Sequence, residues 1–131
     1  MERTISTFDI PTTDINAMPD LSSFLPLTPA QFHILASLAR EPRHGYGVMQ
    51  EVESRSGGTV RLGAGTLYTS LKRMLEDGLV DESDDKADSS ERRRYYALSS
   101  LGRAVLRADA RRLEELVRYA RSEKILDGRS A

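Results

Sequence analysis

The stretch GAGTLYTSLKRMLEDGLVDESDDKADSSERRRYYALSSL, residues 63–101, constrains the fold more than any other. Its first part has a helical period. Leu67, Leu71, Met74 and Leu75 fall on one face, and Thr66, Thr69, Lys72 and Arg73 fall on the other. Gly78 is a helix stop. Leu79 to Ser83 and Arg92 to Leu98 then read as two antiparallel strands, with a polar loop from Asp84 to Glu91 between them. A short amphipathic helix running into such a hairpin is the sequence image of a recognition helix followed by a wing.

The flanking segments complete the pattern. Thr28-Pro29-Ala30-Gln31 is a helix start: Thr28 can accept from a free backbone N–H, Pro29 suits the first helical position, and Gln31 can reach back. Phe32, Leu35, Leu38 and Ala39 line one face of that helix, which is expected to end at Glu41-Pro42. A second helix starts near His44-Gly45, buries Val48, Met49 and Val52, and stops at Gly57-Gly58. Thr59 to Leu62 reads as a short extended link. After the hairpin, Ser99 or Ser100 caps a long helix to about Leu126. Leu106, Ala110, Leu113, Val117 and Ala120 form a heptad-like seam along it, broadened by Leu101, Val105, Leu116 and Tyr119.

The expected fold is mainly α with a small β-hairpin (α+β): a winged helix-turn-helix over residues 28–99 and a long C-terminal dimerisation helix over residues 100–127. Residues 1–27, rich in Thr, Ser, Asp and Pro, read as a largely flexible arm. Within it, Leu21 to Leu25 is apolar enough to dock on the body or on a partner subunit.

Composition narrows the chemistry. With 131 residues the length suits one domain, and a core of this size often gains stability by dimerising. The absence of cysteine excludes disulfides, zinc–thiolate sites and thiol catalysis. No run of apolar residues is long enough to span a membrane, and the N-terminus lacks a secretory pattern, so a cytoplasmic protein is expected. His33 and His44 lack a matched carboxylate cluster and read as structural, so no metal, cofactor or enzymatic activity is expected. Net charge is −1, but its distribution is uneven. Ten Arg/Lys face five Asp/Glu between Glu91 and Lys124, whereas the first 27 residues hold four acids against Arg3. A near-neutral chain can still present one basic face.

In a winged helix-turn-helix the third helix enters the major groove of double-stranded DNA. Arg73 is then placed for a bidentate guanine contact and Lys72 for phosphate. Thr66 and Thr69 offer hydroxyls near the helix start, where free N–H groups favour an anion. Tyr68, at the boundary between faces, can reach phosphate or sugar. Arg92 and Arg93 sit at the base of the wing, whose tip is acidic (Asp84, Asp85, Asp88, Glu91) and is repelled by phosphate. The strand alternation puts Tyr96 and Leu98 on a buried face with Arg94 at its edge. The competing reading is a winged helix that recruits a protein and barely touches DNA. The acidic tip and the low net charge lean towards it.

From Thr28 to about Arg121 the chain resembles the PadR family of bacterial transcriptional regulators. Three segments carry the resemblance in order and spacing: HGYGVMQEV (His44 to Val52), GTLYTSLKRMLEDGLV (Gly65 to Val80) and RRRYYALSSLGR (Arg92 to Arg103). The single short final helix is similar to that of the family's shorter members. The resemblance implies a homodimeric repressor on an inverted-repeat operator, released by a small-molecule effector. It gives the last helix the dimer interface, here Leu106, Ala110, Leu113, Leu116, Val117 and Ala120. It implies that His44, Gly45 and Tyr46 open the second helix, with Tyr46 touching phosphate or core. Gly45 and Gly47 would then permit close packing, and Arg93, Arg94 and Tyr95 would belong to the wing strand. There is no tryptophan for an aromatic sandwich across the interface and no Cys–His pair for haem or redox sensing. Residues 1–27 have no counterpart in the resemblance.

Overall fold

A computed structural model describes residues 20–85 and 93–127. Residues 1–19 of the arm expected over residues 1–27, most of the polar wing tip and Arg92 lie outside the described residues. After a 3-10 turn at Leu21–Phe24 come helix α1 (Pro29–Ser37), strand β1 (Arg43–His44), helix α2 (Gly45–Arg55) and helix α3 (Ala64–Glu76). Strands β2 (Val80–Asp85) and β3 (Arg93–Leu98) and helix α4 (Ser100–Ser122) complete the chain. The hairpin expected from the sequence is one half of a three-stranded antiparallel sheet in the order β1-β3-β2. The extra strand pairs Arg43 with Tyr96 and His44 with Tyr95. In the hairpin, Val80 lies opposite Leu98 and Asp85 opposite Arg93, so β2 runs two residues further than its apolar pattern suggests.

The first helix begins as its sequence dictates. Thr28 Oγ1 accepts from the Gln31 N–H at 3.1 Å, and Gln31 Oε1 accepts from the Thr28 N–H at 2.8 Å. Each bond satisfies an amide the helix cannot. Its end differs from expectation: α1 stops at Ser37, before Glu41-Pro42. Arg43, six residues on, and the distant Arg103 bond to carbonyls at and just beyond this end. Arg43 Nε donates to Ser37 O (2.7 Å) and Arg103 Nη2 donates to Ala39 O (3.1 Å). Local bonds from the Leu38 N–H to Leu35 O (3.0 Å) and from the Ala39 N–H to Ala36 O (3.1 Å) tighten the last turn.

The core lies where α1, α2, α3 and the first half of α4 meet the sheet. Ile34, Leu35, Val48, Val52, Leu67, Leu71 and Val105 are fully buried, with Tyr96 and Val80 closing the sheet side. Ile34, outside the expected apolar face of α1, is part of this core because α1 is covered on more than one side. Thr59 to Leu62 forms no strand; Val60 and Leu62 pack against the core from an irregular link. The end of the arm also docks on the body: Leu21, Phe24 and Leu25 pack against the core and Leu27 is buried in it.

Gly78 shapes the turn after α3. Its φ of 79° lets the Leu79 N–H return to Met74 O (2.9 Å), which closes the helix and starts β2 in one step. The start of α4 is bound to this turn. Ser99 caps the helix by accepting from the Gly102 N–H (2.9 Å) and donates its hydroxyl to Gly78 O (2.6 Å), while its N–H donates to Leu79 O (3.0 Å). Gly102 lies so close that a Cβ there would overlap the carbonyl oxygen of Leu79. The helix ends at Ser122, about one turn short of the expected Leu126.

Candidate nucleic-acid interface

Helix α3 separates its faces as the sequence requires. Leu67, Leu71 and Met74 are buried, while Thr66, Thr69, Lys72 and Arg73 are exposed. Its N-cap, Gly63, gives no side-chain bond, and Gly63 to Thr66 are all exposed. The N–H groups of the first turn therefore face solvent, in the geometry that suits a phosphate oxygen. At 3.6 residues per turn, Thr66, Thr69 and Arg73 form one outer edge of the helix and Tyr68 and Lys72 the other. Glu76 is also exposed, near the end of the helix.

The Tyr68 edge meets the start of α2. The Tyr68 ring lies over Gly45, with no room for a Cβ between them. Tyr46, one residue on, is 61 % exposed and Tyr68 is 47 % exposed. Among the described residues before α4 these are the only large apolar side chains left that open. An aromatic ring ending in a hydroxyl suits a surface that is apolar along a sugar and polar at a phosphate.

His44 is drawn into the structure beneath them. Its Nδ1 accepts from the Gly47 N–H at 3.1 Å, which caps α2. Its ring packs edge-to-face on Tyr95, with centroids 5.6 Å apart and planes at 86°. Such a cap requires the neutral, acceptor form of Nδ1. The β1–β3 pairing therefore joins the start of α2 to the wing strand. Arg93 lies at the open end of β3, opposite Asp85. Arg94 is exposed and pairs with Glu82 on the neighbouring strand at 2.8 Å. Tyr96 is buried below, as the alternation requires. Burial raises its phenol pKa, and the Glu82 carboxylate and Tyr68 add to that rise against an opposing effect of Arg94.

Helix α4 divides into two halves. Leu101, Val105 and Leu106 pack on the body, so Leu106, expected at a dimer interface, meets the chain's own core. Ala110 is exposed and Ala120 half-buried. Leu113, Leu116 and Val117 are 38, 50 and 39 % exposed, and Tyr119, Ile125 and Leu126 extend the apolar strip. Between the halves Asp109 is buried. It accepts from the Leu27 N–H (3.3 Å) and from Arg112 Nε (2.8 Å). Asp109 lies one turn after Val105, on the buried face by helical period, and only its charge would place it outside.

On the far side of α2, Glu51 is surrounded by cations. The hydrogen bond from Arg55 (2.9 Å) is the largest influence holding its carboxyl below the usual range, and Arg43 and Arg40 add to it. No group of His, Cys, Asp and Glu side chains among the described residues could hold a metal ion. None of the described helices is long and apolar enough to cross a membrane.

With this geometry the comparisons with known proteins become specific. Residues 34–108 match the transcriptional regulator PadR-like family. A transcriptional regulator of Mycobacterium tuberculosis is 39 % identical over 100 residues, covering 76 % of this chain and 85 % of its own. A PadR family transcription regulator from Clostridium difficile superposes with a TM-score of 0.63 at 24 % identity, over 72 % of this chain and 97 % of its own. PadR of Bacillus subtilis, solved in complex with operator DNA, gives a TM-score of 0.54 at 18 % identity, over 60 % of this chain and 45 % of its own.

Proposed function

The chain belongs to the PadR-like family of transcriptional regulators, and on that premise we propose that it is a cytoplasmic, homodimeric repressor that binds an inverted-repeat operator in double-stranded DNA. The observation that carries this reading is the open face of α3, with Thr66, Thr69, Lys72 and Arg73 exposed beside the two uncovered tyrosines of the head. The proposed DNA contacts are Thr66, Tyr68, Thr69, Lys72 and Arg73, with Tyr46 and His44 at the start of α2 and Arg92 and Arg93 at the base of the wing. The B. subtilis PadR–operator complex is a precedent for this fold on DNA.

The apolar strip on the second half of α4 supports self-association. A contiguous row of exposed Leu, Val and Tyr is costly in water and is the usual mark of an interface. In the dimer, Leu113, Leu116 and Val117 meet their counterparts, with Ala110, Ala120 and Leu106 at the margins, and the two α3 helices enter successive major grooves about one turn apart. A small-molecule effector acts by favouring one separation of the heads over another.

Fluorescence anisotropy on the protein's own promoter DNA tests the reading. Wild type is expected to bind in a salt-dependent, promoter-specific manner, and Lys72→Ala/Arg73→Ala to lose that binding. Equal weak binding to promoter and scrambled DNA would favour a protein-recruiting winged helix. The exposed acid Asp81 on β2 leans towards that second reading.

A further inference from the structure

We propose that a groove along one flank of α3 binds a small zwitterion with an apolar body, with the chemistry of an aliphatic or aromatic α-amino acid. The groove lies between the Ser23–Leu27 segment and the outer edge of α3, and encloses about 460 Å3. That is within the range of roughly 300–1,000 Å3 typical of small-ligand sites. Phe24, Leu25 and Met74 supply apolar wall, and Arg73, Asp77 and Gln31 supply the polar groups.

The charges identify the ligand. Arg73 and Asp77 are one helical turn apart, so both side chains project to the same flank. Neither side chain has an ion-pair or hydrogen-bond partner among the described residues, and they do not pair with each other. One groove therefore presents a cation and an anion, both exposed to solvent and without protein partners among the described residues. A simple anion would meet the Asp77 carboxylate, and a simple amine would meet the Arg73 guanidinium. A molecule carrying both charges satisfies both. Asp77 is also the C-cap of α3, and the partial negative charge of a helix C-terminus adds to its attraction for an ammonium group. Gln31, which also lines the groove, spends its carbonyl oxygen on the Thr28 N–H, so its amide N–H groups are the donors it can offer a carboxylate. The apolar body then covers Phe24 and Leu25.

Occupancy affects DNA only if the proposed interface is correct, because it commits Arg73 to the ligand carboxylate and removes it from the DNA face. Isothermal titration calorimetry on the full chain without DNA tests the site itself. The probes are L-leucine, L-phenylalanine, 4-methylpentanoate (leucine without its amine) and isoamylamine (leucine without its carboxylate). The amino acids are expected to bind at least tenfold more tightly than either truncated analogue. Asp77→Asn, checked for native circular dichroism, is expected to reduce leucine to the level of the acid. No binding of either amino acid, or equal binding of acid and amino acid in both proteins, would overturn the proposal. A parallel anisotropy titration reads the competition. The amino acid that binds is expected to weaken promoter binding by wild type and not by Asp77→Asn. Undiminished DNA binding at saturating ligand would overturn the competition. Absence of any DNA binding would overturn the function proposed above, while the calorimetry would still decide the groove.

Discussion

Two glycines with crowded Cβ positions predict opposite outcomes, because what crowds them differs. At Gly102 the obstacle is the backbone oxygen of Leu79, which cannot move without displacing β2. Gly102→Ala is expected to lose about 2 kcal/mol in chemical denaturation, the overpacking cost exceeding the better helix propensity of alanine. At Gly45 the obstacle is the end of the Tyr68 side chain, which is half exposed and can swing aside. Gly45→Ala is expected to change stability by less than about 1 kcal/mol yet weaken operator binding about tenfold, the equivalent of one lost contact of roughly 1.4 kcal/mol. Unchanged affinity would remove Tyr68 from the interface. Tyr96 carries a pH signature. Its pKa is raised above 10.0 in the fold, mainly by burial. The fold therefore favours the neutral phenol, and this contribution is complete below about pH 10 and declines as pH rises through the folded pKa. Denaturation across the alkaline range should show Tyr96→Phe losing less stability than wild type. At this scale the faces of α3 were legible because a short amphipathic helix has one solution. The cap role of His44 was not, because histidine is outside the usual set of capping residue types, although its partner Gly47 is only three residues on.

At the scale of elements, the starts of the helices were easier to read than their ends or their partners. Thr28 and Ser99 cap through local amides three residues away, so their chemistry is written in consecutive residues. Arg103 bonds just beyond the end of α1 from the start of α4, and β1 depends on pairing with a strand about fifty residues later. Neither leaves a local trace. Asp109 is the sharpest case. In a helix crowded with arginines an acid reads as a surface charge, yet this one is buried and holds the Leu27 N–H across 82 residues of sequence. Asp109→Ala is expected to cost about 1–3 kcal/mol, because the Leu27 N–H is left buried without an acceptor and the Arg112 pair is lost. Hydrogen exchange should show the Leu27 amide opening in that variant. Unchanged protection would mean that packing alone holds the segment.

At the scale of the whole molecule, the chain places an apolar strip at one end and a basic helix face at the other. Replacing Leu113 and Leu116 with glutamate is expected to give a monomer by analytical ultracentrifugation, with operator affinity reduced about 100-fold or more as the second half-site is lost. A variant that remains dimeric would move the interface elsewhere. Patterning revealed both ends, since exposure of a regular apolar row is a property of sequence period. It could not reveal which stripe of α4 meets the chain's own body, because contacts such as that of Gly102 with Leu79 are tertiary. That contact has a further consequence. Ser99 bonded to Gly78 and Leu79, with Gly102 against the same carbonyl, ties the start of α4 directly to the turn after α3. A base pair added between half-sites turns one site about 35° away from the other, as follows from roughly 10–10.5 base pairs per turn. A jointed protein could follow that rotation, whereas the proposed dimer would have to twist its paired α4 helices. The spacing of its target should therefore be read as strictly as the bases themselves.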